Sequence, residues 1–97
     1  MTPRQSVQNF AQEMERKLRD NEHKGNWLNT DLLDMLDKLT EEKQELVRAV
    51  KKHNANYYSP NQPIDKNIMQ QVTDEAADVA NIAMMVADIV RYKCQKS

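Results

Sequence analysis

One cysteine, Cys94, stands in 97 residues, so no disulfide can close within the chain, and a reducing cytoplasm is the expected setting. Glycine occurs once and proline three times, which is too little turn punctuation for anything but long helices. The N-terminus carries no apolar signal segment. The longest apolar stretch, Ala76 to Val90, is too short to cross a membrane and contains Asp78 and Asp88, so no membrane partner is expected. A formal net charge of −1 offers no footprint for nucleic acid. Arg48, Lys51, Lys52 and His53 do cluster, but they follow an acidic run and read as the cation-rich end of a helix. The length allows a single domain, residues 1–97, of marginal size for a self-contained core.

What is present, with 30% charged residues, is amphipathic. Thr2 is placed as an N-cap with Pro3 at the first helical position and Gln5 closing a capping box. Val7, Phe10, Ala11, Met14 and Leu18 then form a narrow stripe, and Gly25 is the expected stop. The opposite face, Glu13, Glu15, Arg16, Lys17, Arg19 and Asp20, reads as solvated surface. In the connector, Trp27 is either an anchor that packs the loop onto the helices or part of a pocket wall, with His23 and Lys24 within reach of phosphates.

Asn29 or Thr30 can cap a second helix, with Leu28 and Leu33 at staple spacing, running to about His53 or Asn54. A polar, proline-marked loop spans Asn54 to Pro63. Asp65 caps a third helix that continues to about Tyr92, with Ile64 and Met69 as its staple pair. There Ala76, Ala77, Ala80, Ala83 and Ala87 permit close helix approach, and Met84 and Met85 can fill irregular gaps. Asn81 sits among apolar neighbours as a hydrogen-bonded core polar or a substrate contact.

Two interruptions of the apolar stripes carry the chemistry. Met35, Leu39, Leu46 and Ala49 share one face of the second helix, and the position that should continue it is Glu42, with Glu45 one turn on. Ile68, Val72, Val79, Ile82, Val86 and Ile89 do the same on the third helix, and the missing member is Glu75, with Asp78 three residues on. An unpaired carboxylate withdrawn from water costs several kcal/mol, a large part of the margin by which a small domain is folded. Four together would also repel one another. A divalent cation resolves both problems, because hard oxygen ligands select Mg²⁺, Mn²⁺ or Ca²⁺. Glu41, beside this set, reads as surface or as a partner of the ligands.

Glu42-x-x-Glu45 followed by Glu75-x-x-Asp78 resembles the metal signature of the MazG-like all-α nucleoside triphosphate pyrophosphohydrolases. Gly25-Asn26-Trp27, Leu36-x-x-Leu39-x-Glu41-Glu42-x-x-Glu45-Leu46 and Glu75-Ala76-Ala77-Asp78-Val79-Ala80-Asn81 are similar to the short, single-domain members of phages and mobile elements. The likeness spans about Lys24 to Val90, and the spacer between Glu45 and Glu75 is long for the family. The resemblance implies Mg²⁺-dependent cleavage of a nucleoside triphosphate to the monophosphate and pyrophosphate, with Mn²⁺ as an alternative ion. It further implies Glu42, Glu45, Glu75 and Asp78 as metal ligands and Glu42 or Glu41 as the residue that activates water. Lys24, Trp27 and Asn81 become candidate substrate contacts, a deoxynucleotide is favoured, and the role is house-cleaning or control of a nucleotide pool.

Three other readings stand beside it. A di-iron bundle needs Glu-x-x-His, and neither His23 nor His53 lies three residues after a glutamate. A non-enzymatic dimerisation module explains the long helices but not the acids within the seams. A dUTPase-like or phosphoribosyl-ATP pyrophosphohydrolase activity would use the same acids. The expected fold is all-α, with three main helices per chain and a four-helix-bundle core completed by oligomerisation as a homodimer or homotetramer.

Overall fold

The starts of the two longest helices are set by aspartates. The Asp31 Oδ1 accepts from the backbone N–H of Leu33 at 2.8 Å and of Asp34 at 3.4 Å, satisfying amides that no helical carbonyl can reach. Asp65 Oδ1 does the same for Asn67 at 2.7 Å. In a computed structural model that describes residues 1–22, 25–52 and 63–96, the chain forms α1 (Gln5–Asp20), α2 (Leu32–Lys52) and α3 (Lys66–Lys96). No strand occurs among the described residues, and the chain is all-α. None of these helices is long and apolar enough to cross a membrane.

Several expected boundaries shift. Helix α1 begins after Arg4, without a side-chain cap, in place of the Thr2 cap and Gln5 capping box. The Gln8 side-chain amide instead donates to the Pro3 carbonyl, so residues 1–4 lead into the helix without being part of it. Gly25 does adopt a left-handed φ of 86°, but it closes the turn after α1, whose own end lies at Asn21. Asp31 replaces Asn29 and Thr30 as the α2 cap, because a cap must sit where its oxygen faces the second and third helical amides. Leu33 is then 71% exposed, which removes it from the Leu28 staple. The Asp65 cap stands as expected, but Ile64 and Met69 are exposed, and α3 continues past Tyr92 to Lys96. The stretch 53–62, with most of the expected loop and the far end of the second helix, lies outside the described residues, as do His23 and Lys24.

Helix α3 is the spine: α2 and α1 both pack on it. Its 31 residues extend roughly 46 Å at 1.5 Å per residue, farther than the 16 residues of α1 can cover. Among the described residues the buried side chains are Met35, Ile68, Ala77, Asn81 and Ile89. Ala77 has no exposed surface, as suits a small residue where helices approach closely, but Ala83 and Ala87 face outward. Leu33, Leu36, Met69 and Val90 remain exposed, so one chain leaves part of its apolar surface uncovered.

No side chain of α1 is fully buried. Three polar contacts join it to α3, beside the half-buried Phe10, Met14 and Leu18: an Arg16–Asp74 ion pair, Lys17 Nζ at 3.5 Å from Asp78 Oδ2, and Asn81 Nδ2 donating to the Met14 carbonyl at 3.0 Å. Arg16 and Lys17, read from the sequence as solvated surface, therefore face the neighbouring helix. The Lys17 side chain is only 21% exposed.

Candidate functional site

The 3.6-residue period turns Glu42 of α2, and Glu75 and Asp78 of α3, toward the seam between the two helices. One carboxylate oxygen from each lies within 4.8 Å of the other two, and all three residues are half-buried. Glu42 Oε2 and Glu75 Oε2 are buried without a hydrogen-bond partner. Both oxygens have the capacity to accept from a donor or a cation, and the Glu75 side chain also shares a hydrogen bond with Glu45.

The electrostatics agree with the geometry. Burial, reinforced by the charges of Asp78, Glu45 and Glu75, raises the Glu42 carboxyl above the ordinary glutamate value, and the Lys17 ammonium opposes it. Glu75 is likewise raised by burial and by Glu45 and Asp78. Burial raises Asp78 as well, against the lowering pull of Lys17 beside it. Asp74, one turn away, goes the other way: burial pushes it up, but hydrogen bonds from Gln70 and Arg16 hold it below the ordinary value. All three clustered acids are therefore held in an environment that disfavours their charge.

A divalent ion fits this donor set. The ligands are oxygen only, the choice of Mg²⁺, Mn²⁺ and Ca²⁺, and metal–oxygen bonds of about 2.0–2.6 Å bring oxygens to within roughly 4–5 Å of one another. Glu42, Glu75 and Asp78 would hold it. Glu45 is exposed, at the edge of this group, where its charge still reaches Glu42 and Glu75. Glu41 is exposed on the wall of the adjoining cavity.

That cavity, about 520 Å³, lies between α1, the 25–30 segment, α2 and α3, within the size range of small-ligand sites. Its lining is mixed: apolar Leu18, Trp27, Met35 and Met85, acidic Glu41, Glu42 and Asp78, and basic Lys17 and Lys38. Trp27 serves both roles considered for it, since its Nε1 donates to Asp88 Oδ2 at 3.2 Å while the ring borders the cavity. Asn81 is only 4% exposed and also lines it, with Oδ1 unpartnered. The structure thus brings Trp27, Asn81 and Glu41 to one cavity beside the acid cluster, while Lys24 lies outside the described residues.

Sequence reasoning missed Lys17, Arg16 and Asp74. A signal existed: Asp74, Asp78 and Asn81 recur at helical spacing along α3, and this polar ridge requires a polar partner. Compared with known proteins, the chain matches no family model, no curated protein and no solved structure.

Proposed function

We propose that this chain is a Mg²⁺-dependent pyrophosphohydrolase that cleaves a nucleoside triphosphate between the α and β phosphorus atoms, releasing the monophosphate and pyrophosphate. The observation that carries the reading is the pair of unpartnered oxygens on Glu42 and Glu75, grouped with Asp78, where Glu42 and Asp78 also line the cavity that Trp27 borders. The sequence words around these residues support the same reaction. A bound Mg²⁺, with Mn²⁺ as the alternative, supplies charge to grip the phosphates, a more acidic water and stabilisation of the oxygens in transit.

The residues divide the remaining work. Glu42, Glu75 and Asp78 hold the ion, with Glu45 completing the set from the edge. Glu41, or Glu42 through an oxygen left free, orients the attacking water and takes its proton as the α–β bridging oxygen departs with pyrophosphate. The base lies against the Trp27 ring, and the unpartnered Asn81 Oδ1 accepts a hydrogen bond from the nucleoside. Lys24 is assigned to the phosphates. A deoxynucleotide substrate and a role in house-cleaning or nucleotide-pool control complete the reading.

The assembly belongs to the same proposal: α2 and α3 pair with those of a second chain into a four-helix core, as a dimer or a dimer of dimers. Exposed Leu33, Leu36, Met69 and Val90 support it. The same surface favours the second reading, a non-enzymatic helical dimerisation module, which leaves the orphaned carboxylates without a purpose. Incubating purified protein with Mg²⁺ and a panel of standard and modified nucleoside triphosphates separates the two. Monophosphate and pyrophosphate are expected, and release of orthophosphate alone, or no turnover across the panel, rejects the enzyme.

A further inference from the structure

Among the described contacts, one cation stands against the acid cluster, and it comes from neither helix that carries the acids. Lys17 of α1 places Nζ 3.5 Å from Asp78 Oδ2, with the two side chains 21% and 24% exposed. Two contacts of the preceding turn fix its backbone position against α3. Arg16 pairs with Asp74, and Asn81 Nδ2 donates to the carbonyl of Met14, one turn earlier on the same face. The stem of Lys17 is thus aimed by α1 docking, while its ammonium stays at the end of a flexible chain.

The contact has the character of a placeholder. At 3.5 Å it is longer than the roughly 2.7–2.9 Å of a well-made charge-assisted hydrogen bond, so it is mainly Coulombic. Three carboxylates facing one ammonium leave a formal excess of two negative charges, so Lys17 alone does not neutralise the cluster. Lys17 also lines the cavity wall, along with Asp78, Glu42 and Trp27. An ammonium that loses its carboxylate there needs another anion to remain partly buried.

We propose that Lys17 is the counter-cation of the metal-free acid cluster and that, when a divalent ion occupies Asp78, its ammonium turns to the phosphate oxygens of the bound ligand. This rests on the pyrophosphohydrolase reading and assigns Lys17 a double role in it: competitor for the ion, then positioning contact for the phosphates. The two roles have opposite signs, which an ion pair that merely docks α1 would not produce.

Mn²⁺ titration without nucleotide, by calorimetry or electron paramagnetic resonance, reads the first role on the parent, Lys17→Gln and Lys17→Arg. Removing the competing charge in Lys17→Gln should tighten Mn²⁺ binding roughly three- to fivefold, while Lys17→Arg stays near the parent. Steady-state kinetics on the best triphosphate reads the second: KM should rise roughly tenfold in Lys17→Gln with a much smaller change in kcat, and Lys17→Arg should recover most of it. Circular dichroism checks the fold. Should Lys17→Gln unfold, Lys17→Met, which keeps the aliphatic stem, is read in the same way. Unchanged or weaker Mn²⁺ affinity overturns the counter-cation role, and unchanged KM overturns the phosphate role. A parent that takes up no Mn²⁺ fails at an earlier step, rejecting the metal-dependent reading and this inference with it.

Discussion

The Trp27 indole N–H donates to Asp88 Oδ2 across 3.2 Å, tying the segment between α1 and α2 to the second half of α3. The bonded ring also lines the cavity. Asp88→Ala should lower stability by roughly 0.5–1.5 kcal/mol, the usual worth of such a bond. If the ring positions the base, KM for the triphosphate should rise more than kcat falls. Thermal melts and steady-state kinetics together check it, and a variant matching the parent in both would show that the bond holds nothing in place.

Glu75→Gln probes the cluster directly. Gln keeps the shape of Glu and removes one of several repelling charges, so the metal-free variant should be at least as stable as the parent. With saturating Mg²⁺ the order should reverse, since a ligand that binds only the folded state stabilises by RT ln(1 + [L]/Kd) and the variant has lost a donor. Activity should fall by orders of magnitude at unchanged helical content. Melts of both proteins, each with chelator and with Mg²⁺, decide the matter; a difference indifferent to metal would remove Glu75 from the ligand set.

Acidity should act in an unusual direction on the chelated protein. Glu42, Glu75 and Asp78 are raised above their ordinary values of 4.5, 4.5 and 3.8, so the folded chain binds more protons than the unfolded one between those values and the raised ones. Their contribution is fully present below the ordinary values and is lost as pH rises through the raised ones. The melting temperature should therefore climb as pH falls from neutral into the mildly acidic range. Asp74, lowered from 3.8, has the opposite sign, and its contribution disappears only in stronger acid. Melting temperature against pH, in chelator, would contradict this if it fell steadily from neutral downward.

Exposed Leu36 on α2 and Met69 on α3 should be covered in solution by a second chain. Light scattering at micromolar concentration is expected to return a dimer or tetramer for the parent. Leu36→Asp should shift it toward monomer, because a charge in an apolar interface loses hydration without gaining a partner. A parent that is a stable monomer would remove the four-helix assembly.

The local rules read well from the sequence alone. Period and sparse punctuation located three helices, the Asp65 oxygen started the third, and the breaks in two apolar stripes at Glu42 and Glu75 singled out four acids, with Glu45 and Asp78, of which the structure groups Glu42, Glu75 and Asp78 and leaves Glu45 exposed at the edge. These features depend on neighbours within a turn or two, which is the range that spacing encodes. The α2 cap went to Asp31 over its neighbours Asn29 and Thr30: all three residue types are good caps, Asn and Asp about equally, and the direction in which the chain enters the helix chooses among them. Lys17 shows the larger limit. On α1 it belongs to a face whose charges look uniformly solvated, and nothing within its own helix distinguishes it from Arg19. What does so is α3, which sets Asp78 beside one and leaves the other exposed, since charge pairs far apart in sequence exist only once docking brings them within Coulombic reach.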